Sequence, residues 1–203
     1  MKFKTSSKIW DVINDPLFKG FGRKIFPLHQ NIDQTLSLEQ LSSILPWYSH
    51  VNPEKTVEII HYFHKQLSQN TCVFYNIYTE EERSRDKSKN ETGLFFFKGK
   101  PHQPFAICNA GGGFSYVAAI HDSFPHALEL SKKGYNAFAL IYRPTFHLAL
   151  NDLARAIAFV FENAELLEIN TTHYSLWGGS AGARLAAYMG SHSSAQFNEK
   201  AYP

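Results

Sequence analysis

Tyr174-Ser175-Leu176-Trp177-Gly178-Gly179-Ser180-Ala181-Gly182-Ala183-Arg184 leads from a short apolar run, through a G-x-S-x-G pentapeptide, into an alanine-rich stretch. That order predicts a strand, a sharp turn carrying a serine, and a helix. Such a turn strains the serine backbone, and the flanking glycines let strand and helix approach without Cβ clashes. The Ser180 hydroxyl would stand exposed above the sheet with a helix N-terminus beneath it, which makes Ser180 a candidate nucleophile. Only 23 residues follow it, with no Asp and a single His. The groups that would activate the serine are not evident downstream.

Upstream, the same alternation of apolar strand and helix recurs. Phe105 to Asn109 reads as a strand that ends in Ala110-Gly111-Gly112-Gly113. A helix is predicted from Asp122 or Ser123, with Pro125 in its first turn and Gly134 after its end. Tyr135 to Tyr142 is a nearly continuous apolar strand, as expected when both faces are covered. Asn151 to Leu167 carries Leu153, Ile157, Val160, Ala164 and Leu167 on one side and reads as a helix, as does Ala183 to Met189. Before these, Cys72 to Tyr78 and Thr92 to Phe97 form an apparent hairpin around a polar, solvated loop, Thr79 to Glu91. The fold class is therefore α/β: a mostly parallel sheet with helices on both faces and an antiparallel hairpin at its start.

Residues 1–66 form an aromatic prelude, a lid or a packing extension, ahead of a core that begins at residue 67. Within it, Ser37 with Gln40 and Pro53 with Glu54 look like helix starts. Thr56 to Leu67 has apolar residues at helical spacing. His61 and His64 lie one turn apart there; a metal pair would lack a third ligand, so they read as a surface face, and no metal site is expected.

The two glycine turns each follow a strand, so both belong on the rim where parallel sheets bind ligands. Gly111-Gly112-Gly113 is a poor phosphate loop. A G-x-G-x-x-G pattern would need glycine where Tyr116 stands, and the Gly-Lys-Ser/Thr of a P-loop is absent. It fits better as a loop whose backbone N–H groups face an oxyanion, where any Cβ would block the approach. Ser180 as nucleophile, with the N–H groups of Gly112, Gly113 and Ala181 as oxyanion donors, then forms one constellation. Phe114, His121, Arg143 and Gly179 are candidate pocket residues around it. For His121-Asp122 the alternative is a plain helix entry with Asp122 near the cap, and for Arg143 a structural role. Asp152 and Arg155 read as helix surface or a local pair.

Between about Cys72 and Tyr188 the chain resembles the α/β-hydrolase superfamily, specifically esterase/lipase-type members with an HGGG-like oxyanion loop. Gly111-Gly112-Gly113-Phe114 is similar to that loop, Lys133-Gly134-Tyr135-Asn136-Ala137-Phe138 with Tyr142-Arg143 to the next strand and its exit, and Gly178-Gly179-Ser180-Ala181-Gly182 to the nucleophile elbow. One departure stands out: the loop histidine of the family falls at Ala110. The resemblance implies hydrolysis of small carboxylic esters through an acyl-enzyme on Ser180, with no cofactor.

In that superfamily an acid and a histidine follow the serine, in that order. Here the residues after Ser180 offer only Glu199 and His192. His192 lies about three helical turns on, roughly 18 Å along a regular helix, and cannot reach Oγ. Strands expected beyond Tyr174–Trp177 are missing as well, which would leave that segment an exposed apolar edge open to self-association. The chain thus reads as the N-terminal portion of a longer hydrolase, with little turnover alone. The alternative is a non-catalytic binding or interaction module on a degraded hydrolase fold.

Composition agrees with a globular domain: 203 residues, 44% hydrophobic and 15% aromatic. A net charge of +2 argues against nucleic acid as a partner. The basic N-terminus has no apolar segment after it, and no stretch reaches the ~20 apolar residues that span a bilayer. Cys72 and Cys108 sit in apolar runs and read as small buried side chains in a reducing cytoplasm.

Overall fold

The computed structural model describes residues 2–45, 47–48, 51–192 and 194–197. Five strands form one open, mixed sheet in the order β1-β2-β4-β3-β5: β1 Phe74–Tyr75, β2 Gly93–Phe97, β3 Gln103–Asn109, β4 Asn136–Ile141 and β5 Ile169–Gly178. β1 pairs antiparallel with β2, and β2 with β4; β3 runs parallel to both β4 and β5. The helices are α1 Ile9–Ile13, α2 Pro53–Ser68, α3 Glu80–Arg85, α4 Ser123–Lys132, α5 Phe146–Glu162 and α6 Ala181–Ser191. This is the α/β architecture expected, with the two parallel crossovers made by α4 and α5.

Successive strand residues point to opposite faces, and here both faces are covered. On one side Phe95 and Phe97 pack against Phe63 of α2 and Phe124 of α4. On the other, Phe96 stacks on Phe138, and Phe105 meets Phe161 of α5. Every residue of β2 and β4 is buried, whereas β5 is exposed along most of its length. Among the described residues β5 is paired on one side only.

The prelude packs onto the same core. Ser37 and Gln40 make the predicted capping box, and the Asn52 side chain accepts the Lys55 N–H to start α2 at Pro53. His61 and His64 are not a surface face. The Phe3 N–H donates to His61 Nε2 at 3.2 Å, and His64 meets Phe3 and Phe18 edge-on. The first residues of the chain fold back over this side of α2, a tertiary event that periodicity does not encode.

Other elements shift for similar reasons. The Cys72–Tyr78 run yields a strand of only Phe74–Tyr75, yet Val73, Ile77 and Tyr78 are buried; burial rather than ladder pairing selected its composition. Thr79 to Glu91 is not an open loop: Thr79 caps α3 in a capping box with Glu82, and a 3-10 turn, Lys87–Glu91, follows. α5 begins and ends about a turn earlier than its apolar stripe suggests. Leu167 is buried from the connection after the helix.

Asp152 and Arg155 are buried rather than on the helix surface. Asp152 accepts the Arg143 N–H at 2.8 Å, the Arg143 guanidinium at 2.7 Å, and the Tyr78 hydroxyl at 2.8 Å. Arg155 Nε donates to the Ile77 carbonyl at 2.8 Å. An ion pair completed by an amide and a hydroxyl can sit in a core without leaving an unpaired charge. Cys108 is buried as expected, but Cys72 is exposed.

Candidate active site

The elbow forms because β5 delivers the chain into α6 through two close backbone approaches. A Cβ on Gly182 would lie 2.0 Å from the Asn109 carbonyl oxygen at the end of β3, and one on Gly178 would lie 2.3 Å from the Gly182 carbonyl. Any side chain there would push helix and sheet apart. Ser180 sits between them at φ 49°, ψ −116°, outside the regions an L-residue favours, at a cost of about 1–3 kcal/mol. Strain at this one residue aims its exposed side chain over the sheet's carboxyl edge, at the positive end of the α6 dipole.

The second glycine turn comes up beside it. Gly112 adopts φ +129° and Gly113 φ +61°. A Cβ on Gly112 would lie 2.1 Å from the Tyr116 carbonyl oxygen. Ser180, Gly112, Gly113, Trp47 and Tyr48 line one cavity of about 460 Å³. Among the described residues, the amides of Gly112, Gly113 and Ala181 have no hydrogen-bond acceptor, and neither does the Ser180 hydroxyl. Buried amides are nearly always paired; Gly112 and Ala181 are buried and Gly113 is exposed, so two unpaired buried donors beside one strained serine mark this corner as a candidate site.

The remaining expected pocket residues distribute unevenly. Gly179 belongs to the elbow, where its Cβ position lies 2.8 Å from Asp122 Oδ2. Phe114, at φ +56°, packs against Tyr142 and Phe146 on the α5 side of the loop. His121 lies behind Tyr48, ring centroids 4.0 Å apart and edge-on, with both ring nitrogens buried and unpartnered among the described residues. Burial pushes the His121 imidazole down to about 4, so it is neutral at neutral pH. Arg143 lines a different cavity, of about 580 Å³, with Tyr78, Asp86, Lys89, Asn151 and Arg155, and its guanidinium is spent on Asp152. His192 stacks on Tyr188 at 4.1 Å, and its Nδ1 lies 3.0 Å from the Tyr188 carbonyl oxygen. Glu199 lies outside the described residues.

Two site residues were not anticipated. Trp47, 71% exposed, reaches to 3.0 Å from the Cβ position of Gly113 and stacks on Tyr116. Tyr48 places its hydroxyl 2.7 Å from the Cβ position of Gly111, where Ser180 Cβ also approaches to 3.1 Å. Burial, and then the charge of the Asp122 carboxylate, raise the Tyr48 phenol to about 12. The signal available was an adjacent pair of large aromatics after Pro46; nothing local ties that pair to a loop more than sixty residues away.

A mixed sheet in this order, a strained serine between a parallel strand and a helix, and a glycine loop on the neighbouring strand define an α/β-hydrolase of the esterase type. The BD-FAE family, an α/β-hydrolase esterase family, matches residues 97–202, just over half of the sequence. The chain belongs to that family. Among solved structures it is similar to an acetyl ester-xyloside bifunctional hydrolase from Caldicellulosiruptor lactoaceticus, at 27% identity and a TM-score of 0.52. The match covers 59% of this chain and 47% of that one, so the chain spans about half the length of that hydrolase. A thermophilic esterase from the Planctomycetes species Thermogutta terrifontis matches at 26% identity and a TM-score of 0.43, covering 47% of this chain and 38% of the other. No curated protein matches the chain. Among the described residues no helix is long and apolar enough to cross a membrane.

Proposed function

We propose that Ser180 is the nucleophile of a carboxylic ester hydrolase. Its Oγ attacks the ester carbonyl carbon, the carbonyl electrons move onto oxygen, and the N–H groups of Gly112, Gly113 and Ala181 hold that oxyanion. Collapse expels the alcohol and leaves an acyl-enzyme, which water then hydrolyses. The proton transfers need a histidine and an acid, and we assign both to sequence beyond residue 203. The 203-residue chain alone then turns over slowly, since only ~10³ to 10⁴-fold catalysis over water survives loss of a working triad in the serine-protease template. The substrate class is small carboxylic esters.

The observation that carries this reading is Ser180 at φ 49° beside three amides without acceptors. Fixed donors in a partly dry corner are the largest single aid to acyl transfer. A fluorophosphonate probe read by intact mass tests it, on this chain and on a form extended by its natural downstream sequence. Labelling of the extended form, lost in Ser180→Ala, supports the reading. An extended, folded protein whose Ser180 stays unlabelled overturns it in favour of a binding module on a hydrolase fold.

A further inference from the structure

We infer that Asp122 is the positioning residue of the oxyanion loop. The inference rests on the ester-hydrolase reading for its consequence, but not for its geometry.

Each polar group on the back of the loop has a partner. The Ala110 carbonyl accepts the Tyr142 hydroxyl at 2.6 Å. The Gly111 N–H donates to Asp122 Oδ2 at 2.6 Å. The Gly111 carbonyl accepts the Ala118 N–H at 3.0 Å, and the Gly112 carbonyl accepts from Ser115 and Tyr116. Among the described residues the N–H groups of Gly112, Gly113 and Phe114 have no acceptor, and of these residues Gly112 and Gly113 line the cavity at Ser180. The Gly112 N–H shares its peptide plane with the Gly111 carbonyl and the Gly113 N–H with the Gly112 carbonyl, so the bonds from Ala118, Ser115 and Tyr116 set the two donor planes, and the Asp122 bond anchors the peptide from which they follow.

Asp122 is placed to act on both halves of the site. It precedes α4 at the N-cap position, where an aspartate ordinarily accepts from its own helix, yet its side chain makes no such bond. It turns instead to Gly111, and the same carboxylate abuts the backbone of Gly179 in the elbow. Tyr48 brings its hydroxyl from the prelude to the same spot, 2.7 Å from the Cβ position of Gly111. A bare carboxylate near a developing oxyanion would oppose it. With one oxygen engaged by the Gly111 amide, Asp122 orients donors rather than facing the substrate.

The first measurement needs no reaction. In the ¹⁵N-labelled chain, a short bond to a carboxylate shifts the Gly111 amide proton downfield and protects it from exchange. Asp122→Ala is expected to return the shift to the ordinary amide range and speed exchange about tenfold, the loss of one charge-assisted bond. Asp122→Asn, which keeps a carbonyl acceptor, should restore most of the protection. The second measurement is the phosphonylation rate of Ser180 in the extended protein. Asp122→Ala should lower it by about 100-fold, the scale of a lost oxyanion donor, Tyr48→Phe by less, and Asp122→Asn should recover most of it. An unchanged Gly111 amide in Asp122→Ala overturns the brace. So do equal rate losses in Asp122→Asn and Asp122→Ala that track thermal stability. If the wild-type serine stays unlabelled while the Gly111 amide responds to Asp122, the esterase reading fails and the brace stands.

Discussion

Asp152 and Asp122 are built alike and end up different. Each accepts a backbone N–H two residues past a strand, Arg143 after β4 and Gly111 after β3, and each has a tyrosine near it: Asp152 accepts the Tyr78 hydroxyl, and the Asp122 charge acts on the Tyr48 phenol. Asp152 adds the Arg143 guanidinium, and its side chain is fully buried; Asp122 has only the His126 ring at 3.8 Å, and its side chain is 12% exposed. The first carboxylate is neutralised and closes one end of the sheet. The second has no guanidinium and lies near amides without acceptors and the buried ring nitrogens of His121. A saturated network locks a fold, whereas a partly unsaturated one at a strained residue leaves capacity for a ligand.

The largest expected effect lies on the unsaturated side. Ser180→Ala in the extended protein should lower ester hydrolysis by at least ~10³-fold with no loss of fold, checked by initial rates and circular dichroism. On the saturated side, Asp152→Ala removes the buried carboxylate that holds Arg143, leaving it only Asp86, Ser88 and the Tyr78 hydroxyl, and should cost about 3–5 kcal/mol in urea unfolding. Asp122→Ala should cost only about 1–3 kcal/mol in the same assay, because water can reach what it uncovers. Equal losses would break the contrast between the two carboxylates.

A smaller effect sharpens the comparison through pH. His121 is held near 4 when folded and returns to about 6.5 when unfolded. Between those values the unfolded chain binds the proton and the folded chain does not, so stability must fall as pH drops from about 6.5 towards 4. Urea midpoints across that window should flatten in His121→Phe. The smallest effect belongs to the exposed network of Lys55, Glu58, Glu129 and Lys132 between α2 and α4. Lys132→Ala should shift stability by less than about 1 kcal/mol, as exposed ion pairs do.

The alternation of strands and helices, and the serine turn between a strand and a helix, were readable because their causes are local. Apolar runs of strand length alternate with amphipathic helices, and G-x-S-x-G satisfies a steric demand that the structure places within 2.0 Å of the Asn109 carbonyl. Gly112 and Gly113 were readable for the same reason. Asp122, Tyr48 and Trp47 were not, since their roles depend on a prelude folding back across the rim, and an aspartate before a helix looks like a cap whichever way its side chain turns. Asp152 and Arg155 misread as surface because polar type outweighed position; their partners Arg143, Tyr78 and Ile77 come from other segments.

The two cysteines have a practical consequence. Cys108 is the penultimate residue of β3, and burial, followed by the Asp122 charge, pushes its thiol up to about 12, so almost no thiolate forms there at neutral pH. Cys72 stands exposed just before β1. Maleimide should therefore attach a single fluorophore or spin label to the unmodified chain, next to a strand separated from β5 by three others, giving a reporter of folding that leaves the serine untouched.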